Sequence, residues 1–250
     1  MHVRLGDSVV ALNGPWKFQI GDSPIDSATN IPVWAQPSFD DSKWETVDLT
    51  PASGSFDPIS GTSGYVPGWT AKGHHGYWGY AWYRIRIQLE TRQDAKLALA
   101  GPADVDDAFQ IFDNGEMVGT FGDFSSKLPS IYFSQPMMFP LAPSKDNASK
   151  ATQLLAYRVW MEPSTLTQSD DVGGIHTAPL LGEIAAVAAQ HQMRWVEMLR
   201  AYAGSVIGGL VFALLGVVAL SLMLFDRVRP FSSLSFRSRL FMPLKLSLSF

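Results

Sequence analysis

DAFQIFDNGEMVGTFG, Asp107 to Gly122, is two extended runs folded back on each other in the letters alone. Asn114-Gly115 offers the positive φ angles that a two-residue hairpin turn demands, and the flanking runs are strand-forming. The same grammar continues outward. PWKFQIGD (Pro15–Asp22) places Trp16, Phe18 and Ile20 on one face, since side chains alternate along a strand. YAWYRIRIQLE (Tyr80–Glu90) sets Trp82, Arg84, Arg86 and Gln88 against Tyr83, Ile85, Ile87 and Leu89. SIYFSQPMMFPL (Ser130–Leu141) and QLLAYRVWME (Gln153–Glu162) supply two further strands. Nowhere do strands alternate with helices as a parallel α/β sheet requires, so the reading is mainly β, an antiparallel sandwich.

FDDSKWETVDL (Phe39–Leu49) poses a question within that pattern. Asp40, Asp41 and Ser42 are turn-formers, because their short polar side chains bond to nearby backbone. A tryptophan, Trp44, follows at once and needs burial.

Composition narrows the functional classes. A net charge of −4 leaves no basic footprint for nucleic acid. With 0 cysteines there is no disulfide, no Cys-ligated zinc and no thiol nucleophile. Charged residues make up 17% of the chain, below the ~25% usual in soluble domains, and one long segment carries none.

That segment is AYAGSVIGGLVFALLGVVALSLMLF, Ala201 to Phe225, without a single charge. It exceeds the ~20 residues needed to cross a bilayer core. A buried helix of a soluble core is the alternative, but such helices rarely run this long without a polar face. Arg194 and Arg200 precede it, whereas Arg227, Arg229, Arg237 and Arg239 follow. Cations favour the cytoplasm, so residues 1–200 are expected outside and the C-terminal side inside. MHVRLGDSVVALNG has no apolar core of a signal peptide, so either the true start lies upstream of Met1, the favoured reading, or the span itself directs export of its N-terminal side. Gly204 and Gly208 form a GxxxG spacing, which would let two such helices pack as a homodimer. EIAAVAAQHQMRWVEMLR (Glu183–Arg200) favours helix, with Ile184, Val187, His191, Trp195, Met198 and Leu199 near one face. Continued through Phe225 it would be about 60 Å long, able to pass a displacement into the membrane. The organisation expected is therefore 1–183 outer sandwich, 184–200 juxtamembrane helix, 201–225 transmembrane helix and 226–250 short tail, cut short of a longer protein. The tail carries no catalytic pattern.

LNGPWKFQIGD, Trp34 with PSFDDSKWETVDLTP, GYAWYRIRIQL and DDAFQIFDNGEMVGTFG occur in an order and spacing with a known counterpart. From Val10 to Leu181 the chain resembles the galactose-binding-like jelly-roll domain at the front of glycoside hydrolase family 2 enzymes. Similar domains form the outer sensory part of bacterial membrane signalling proteins. The resemblance implies that Trp44 is core while Asp40 and Asp41 shape the turn. Together with the span and its flanking arginines, it points to a single-pass plasma-membrane protein with its module outside, whose output domain (phosphatase, kinase or cyclase in the sensor relatives) is not in this chain. Family 2 catalysis resides in a separate barrel of about 250 residues, so no enzymatic activity is expected here.

Two functional readings follow. In the first, the chain is a sensory module binding a carbohydrate or a partner protein; in the second, it is the front module of a hydrolase fragment, and the frame beyond codon 250 would discriminate. The richest binding candidate is GWTAKGHHGYWGYAWY (Gly68–Tyr83), with Trp69, His74, His75, Trp78 and Tyr80 among glycines. Aromatic faces stack on sugar rings while imidazole and carboxylate groups bond hydroxyls; the alternative is that these rings close one end of the sandwich. Asp106 and Asp107 are added as carboxylate candidates for ligand contact, although neighbours on a strand point to opposite faces and cannot flank one bond. The competing reading makes them a solvated turn pair. Adjacent His74 and His75 with His176 are poorly spaced for a metal, so neither metal nor cofactor is expected. SDDVGGIHTAPLLG (Ser169–Gly182) reads as a linker, or as a hinge through Gly173 and Gly174. Asn147-Ala148-Ser149 matches a glycosylation acceptor.

Overall fold

The computed structural model describes residues 1–5, 8–58, 60–90, 95–132, 135–142 and 150–228; the acceptor sequence at Asn147 and the tail beyond 228 lie outside them. In chain order the strands are β1 (His2–Arg4), β2 (Val10–Ala11), β3 (Trp16–Ile20), β4 (Glu45–Val47), β5 (Gly79–Glu90), β6 (Leu97–Ala100) and β7 (Val105–Asp106). They continue as β8 (Ala108–Asp113), β9 (Glu116–Phe121), β10 (Met138–Pro140), β11 (Lys150–Met161), β12 (Gly174–Ile175) and β13 (Leu180–Glu183), before the helix α1 (Ile184–Val228).

The larger sheet runs β4-β3-β5-β11-β8-β9, with β1 lying parallel along the end of β5. A smaller sheet runs β10-β6-β13-β2, and β7 and β12 form a two-stranded ribbon. Apart from β1 with β5, the pairings are antiparallel. The hairpin forms where the sequence places it: Asn114 and Gly115, at φ 48° and 92°, join β8 to β9.

Alternation decides which residues fill the space between the sheets. Trp16 and Phe18 on β3, with Tyr83, Ile85, Ile87 and Leu89 on β5, pack in one core with Leu99 of β6 and Leu181 of β13. Trp82, the opposite face of β5, instead joins Ala35, Trp44, Phe112 and Ala156 in a second cluster outside the larger sheet. The loop Ile31–Trp44 covers that face. Trp34 and Trp44 meet edge to face at 5.0 Å, and Phe39 lies 5.5 Å from Trp44.

This answers the question of the acidic turn. Asp40 does shape it, accepting the Ser42 N–H at 3.0 Å. Asp41 does something else: it is buried and accepts charge-assisted bonds from Arg84 and Arg86. Arg84 is 1% exposed, projects from the outer face of β5, and also donates to the Gln36 carbonyl at 2.8 Å. The turn thus buries Trp44 and neutralises the cation beneath it.

Ser169–Gly182 differs from its reading as a linker. Val172, Ile175 and His176 are buried, the segment contributes β12 and the start of β13, and the chain leaves the sandwich only at Ile184. A Cβ on Gly174 would lie 2.0 Å from the Tyr83 hydroxyl, so glycine is required by packing as well as by its φ of 92°.

Two compact units divide the chain at Met198 and Leu199. In the first unit, the opening turns of α1 pack by Val187, and Arg194 donates to the Gly101 carbonyl at 3.1 Å. In the second, helix residues such as Leu210, Phe212, Leu214 and Leu222 are exposed. α1 is long and apolar enough to cross a membrane.

Candidate functional site

The predicted loop does not present its aromatics together. Trp69 is 1% exposed and belongs to the main core, its Nε1–H donating to the Tyr77 carbonyl at 3.1 Å. Its ring is so close to Gly173 that a Cβ there would sit 2.4 Å away. His74 packs on Phe18 and reaches the Glu45 carboxylate at 3.1 Å, whereas His75 is exposed. Trp78, at 44% exposure, stands edge-on to Trp160 with ring centroids 6.1 Å apart.

Tyr80 lines a cleft. It lies opposite Trp160 in the β5–β11 register, with ring centroids at 4.7 Å, on the outer face of the larger sheet. The Arg158 guanidinium sits 4.0 Å over the Tyr80 ring. Arg158 is fixed from three sides: Nε donates to Asp22 Oδ1 at 2.9 Å, Nη2 to Asp22 Oδ2, and Nη1 to Gln110 Oε1 at 2.9 Å. Asp22 also accepts from the Trp82 indole at 3.3 Å. Tyr80, Arg158 and Asp22 with Phe124, Lys127 and Trp160 line about 470 Å³, within the ~300–1,000 Å³ of small-ligand sites. Burial raises the Tyr80 pKa, so the phenol stays neutral and able to donate. Such a cleft can stack a ring on aromatic carbon and meet hydroxyls with an acceptor and a donor held side by side. Lys127 makes no ion pair among the described residues.

Asp22, Phe124, Lys127 and Arg158 were not singled out from the sequence. Arg158 and Trp160 stand two apart in QLLAYRVWME, hence on one face, and that much was available. Their opposition to Trp82 and Tyr80 depends on strand pairing across about 80 positions, which no local pattern discloses.

Asp106 and Asp107 part company, neither of them as a solvated turn residue. Asp106 Oδ2 accepts the Gly173 N–H at 2.8 Å and lies 3.0 Å from His176 Nε2. Asp107 accepts the Glu162 N–H at 2.8 Å and the Thr165 hydroxyl at 2.9 Å. Burial pushes the Asp107 carboxyl up to about 6 against those two bonds. Neither lines the Tyr80 cleft. Among the described residues, no group of three His, Asp or Glu side chains could hold a metal ion.

No family model and no curated protein matches this chain. Among solved structures, a Bacteroides uniformis β-glucuronidase is similar at 22% identity and a TM-score of 0.45, over 70% of this chain and 17% of that one. A β-glucuronidase from glycoside hydrolase family 2 is similar at 16% identity and TM-score 0.45, over 70% and 17%. A family 2 member from Bacteroides cellulosilyticus gives 18% and 0.41, over 70% and 20%. These are enzymes of the family whose front domain the sequence resembles, and this chain spans a fifth or less of their length. At such scores they carry no inference about activity.

Proposed function

We propose that the chain is the membrane-anchored, extracytoplasmic ligand-binding module of a bacterial signalling protein. Residues 1–183 form a galactose-binding-like jelly roll, 184–200 a juxtamembrane helix and 201–225 a single span, with the tail in the cytoplasm. The observation that carries the reading is the run from Ala201 to Phe225, uncharged and with its apolar side chains exposed, directly after a β-sandwich. The ligand is a carbohydrate or a partner protein, and the Tyr80 cleft is where it docks.

Membrane fractionation tests the anchor. The full chain should stay with membranes through alkaline carbonate washing. Leu214→Arg, which puts a charge near mid-span at a cost of about 2.5–3.5 kcal/mol, should release much of it. Wild-type protein recovered in the soluble fraction would overturn the anchor. Orientation is read separately: a reporter after Arg239 should be cytoplasmic, and protease added outside should cut the module.

A further inference from the structure

His176 is 1% exposed, and both its ring nitrogens face oxygen acceptors. Nδ1 lies 2.9 Å from the Val66 carbonyl oxygen and Nε2 lies 3.0 Å from Asp106 Oδ2. The carbonyl can only accept, and the Asp106 oxygen already accepts the Gly173 N–H. A neutral imidazole has one N–H and one lone pair, so it would serve one neighbour and turn a lone pair on the other. The imidazolium has two N–H groups and serves both.

The charged surroundings agree. Asp106 of β7 and Asp104 of the preceding turn act on the ring directly, and Asp57, from the loop before Val66, acts on Asp104. Tyr65 stacks on the imidazole at 4.7 Å with planes 5° apart, its hydroxyl donating to the Asp171 carbonyl at 3.3 Å. Tyr83 receives the Ile175 N–H nearby at 3.4 Å. Burial alone would expel the proton. The bond and charge of Asp106, the Val66 carbonyl and Asp104 outweigh it, and the His176 pKa is raised above its ordinary value.

We propose that His176 is a pH-operated clamp: as the imidazolium it fastens the Asp57–Val66 loop and β7 to the Val172–Thr177 segment, and on losing its proton it loosens that end of the sandwich. The segments it joins also wall a second cavity of about 400 Å³, lined by Phe56, Tyr65, Val66 and Asp171 among others, so access there follows the clamp. The proposal depends on neither the ligand nor the anchor. Because the folded pKa is raised, the clamp's stabilisation is complete below the unfolded value of about 6.5 and is lost as pH rises through the folded value.

The test uses the full chain in zwitterionic micelles with ¹⁵N-labelled histidine, followed by NMR between about pH 5 and pH 9. His176→Gln identifies the resonance, and substituting His2, His74, His75 and His191 identifies it by elimination if that variant does not fold. Both ring nitrogens should be protonated near pH 6, with a midpoint above about 6.5. Asp106→Asn should lower that midpoint by about 1–3 units. The Val66 amide, bonded to the His176 carbonyl at 2.8 Å, should lose exchange protection as wild-type passes its midpoint, after correction for intrinsic rates. A singly protonated ring near pH 6, or Val66 protection unchanged across the midpoint, overturns the clamp.

Discussion

Asp41 and Trp44 stand three positions apart in one loop and are buried for opposite reasons. Trp44 removes a large apolar surface from water, and truncating such a ring costs about 3–5 kcal/mol. Asp41 is buried because Arg84 is, and a guanidinium left in that place without its carboxylate is an uncompensated charge. Asp41→Ala should therefore destabilise the fold by about 3–5 kcal/mol, as much as Trp44→Ala. Denaturant unfolding of the full chain measures both. A loss under ~1 kcal/mol for Asp41→Ala would place the pair with solvated surface bridges and refute its buried role. The two variants combined should cost less than their sum, because Arg84 lies 5.7 Å from the Trp44 ring and the residues share one environment.

The segment Ser169–Gly182 shows at the level of elements what a sequence does and does not disclose. The hairpin at Asn114-Gly115 and the alternation of β3 and β5 were legible, because turn chemistry and a period of two are local properties. β7 and β12 were not, because two residues carry no period, and Val172-Gly173-Gly174 owes its conformation to Trp69 and Tyr83 about a hundred positions away. Two glycines in a row look like freedom, yet here they are contact sites. Trp69 went astray for the same reason: aromatic density in a glycine-rich loop is equally the mark of a binding face and of a plug. Gly174→Ala should cost at least about 2 kcal/mol, joining an unfavourable φ to a clash with the Tyr83 hydroxyl. Gly61 has a comparable φ of 74° with nothing within 4 Å of the added Cβ, so Gly61→Ala should cost only about 1 kcal/mol. Equal melting-temperature losses for the two would mean that backbone strain, not packing, requires glycine in the segment.

Taken as a whole molecule, the protein places its mixed aromatic and charged cleft on the outer face of the larger sheet, where Asp22 and Arg158 hold each other in one geometry. That arrangement should recognise a saccharide better than a flat aromatic alone, since acceptor and donor are already oriented and little ordering remains when a ligand arrives. The cleft is shallow and open, so the affinity expected is near millimolar, worth about 4 kcal/mol. Tryptophan fluorescence of the full chain provides the readout, through Trp160 in the cleft and Trp78 beside it. The titration needs a detergent without a sugar headgroup, and a panel of neutral and acidic saccharides. Leu128→Ala and Lys127→Ala change exposed side chains that line the cleft, so both should melt like wild-type. If the cleft is the site, Leu128→Ala weakens every saccharide that binds, whereas Lys127→Ala weakens acidic ones by up to about fivefold and leaves neutral ones alone, as an exposed charge pair of about 1 kcal/mol would. Binding that survives both substitutions unchanged would move the site elsewhere. If no saccharide in the panel shifts the signal of a correctly folded, membrane-extracted chain, the carbohydrate reading fails while the anchor stands, and the outer face becomes a surface for a partner protein.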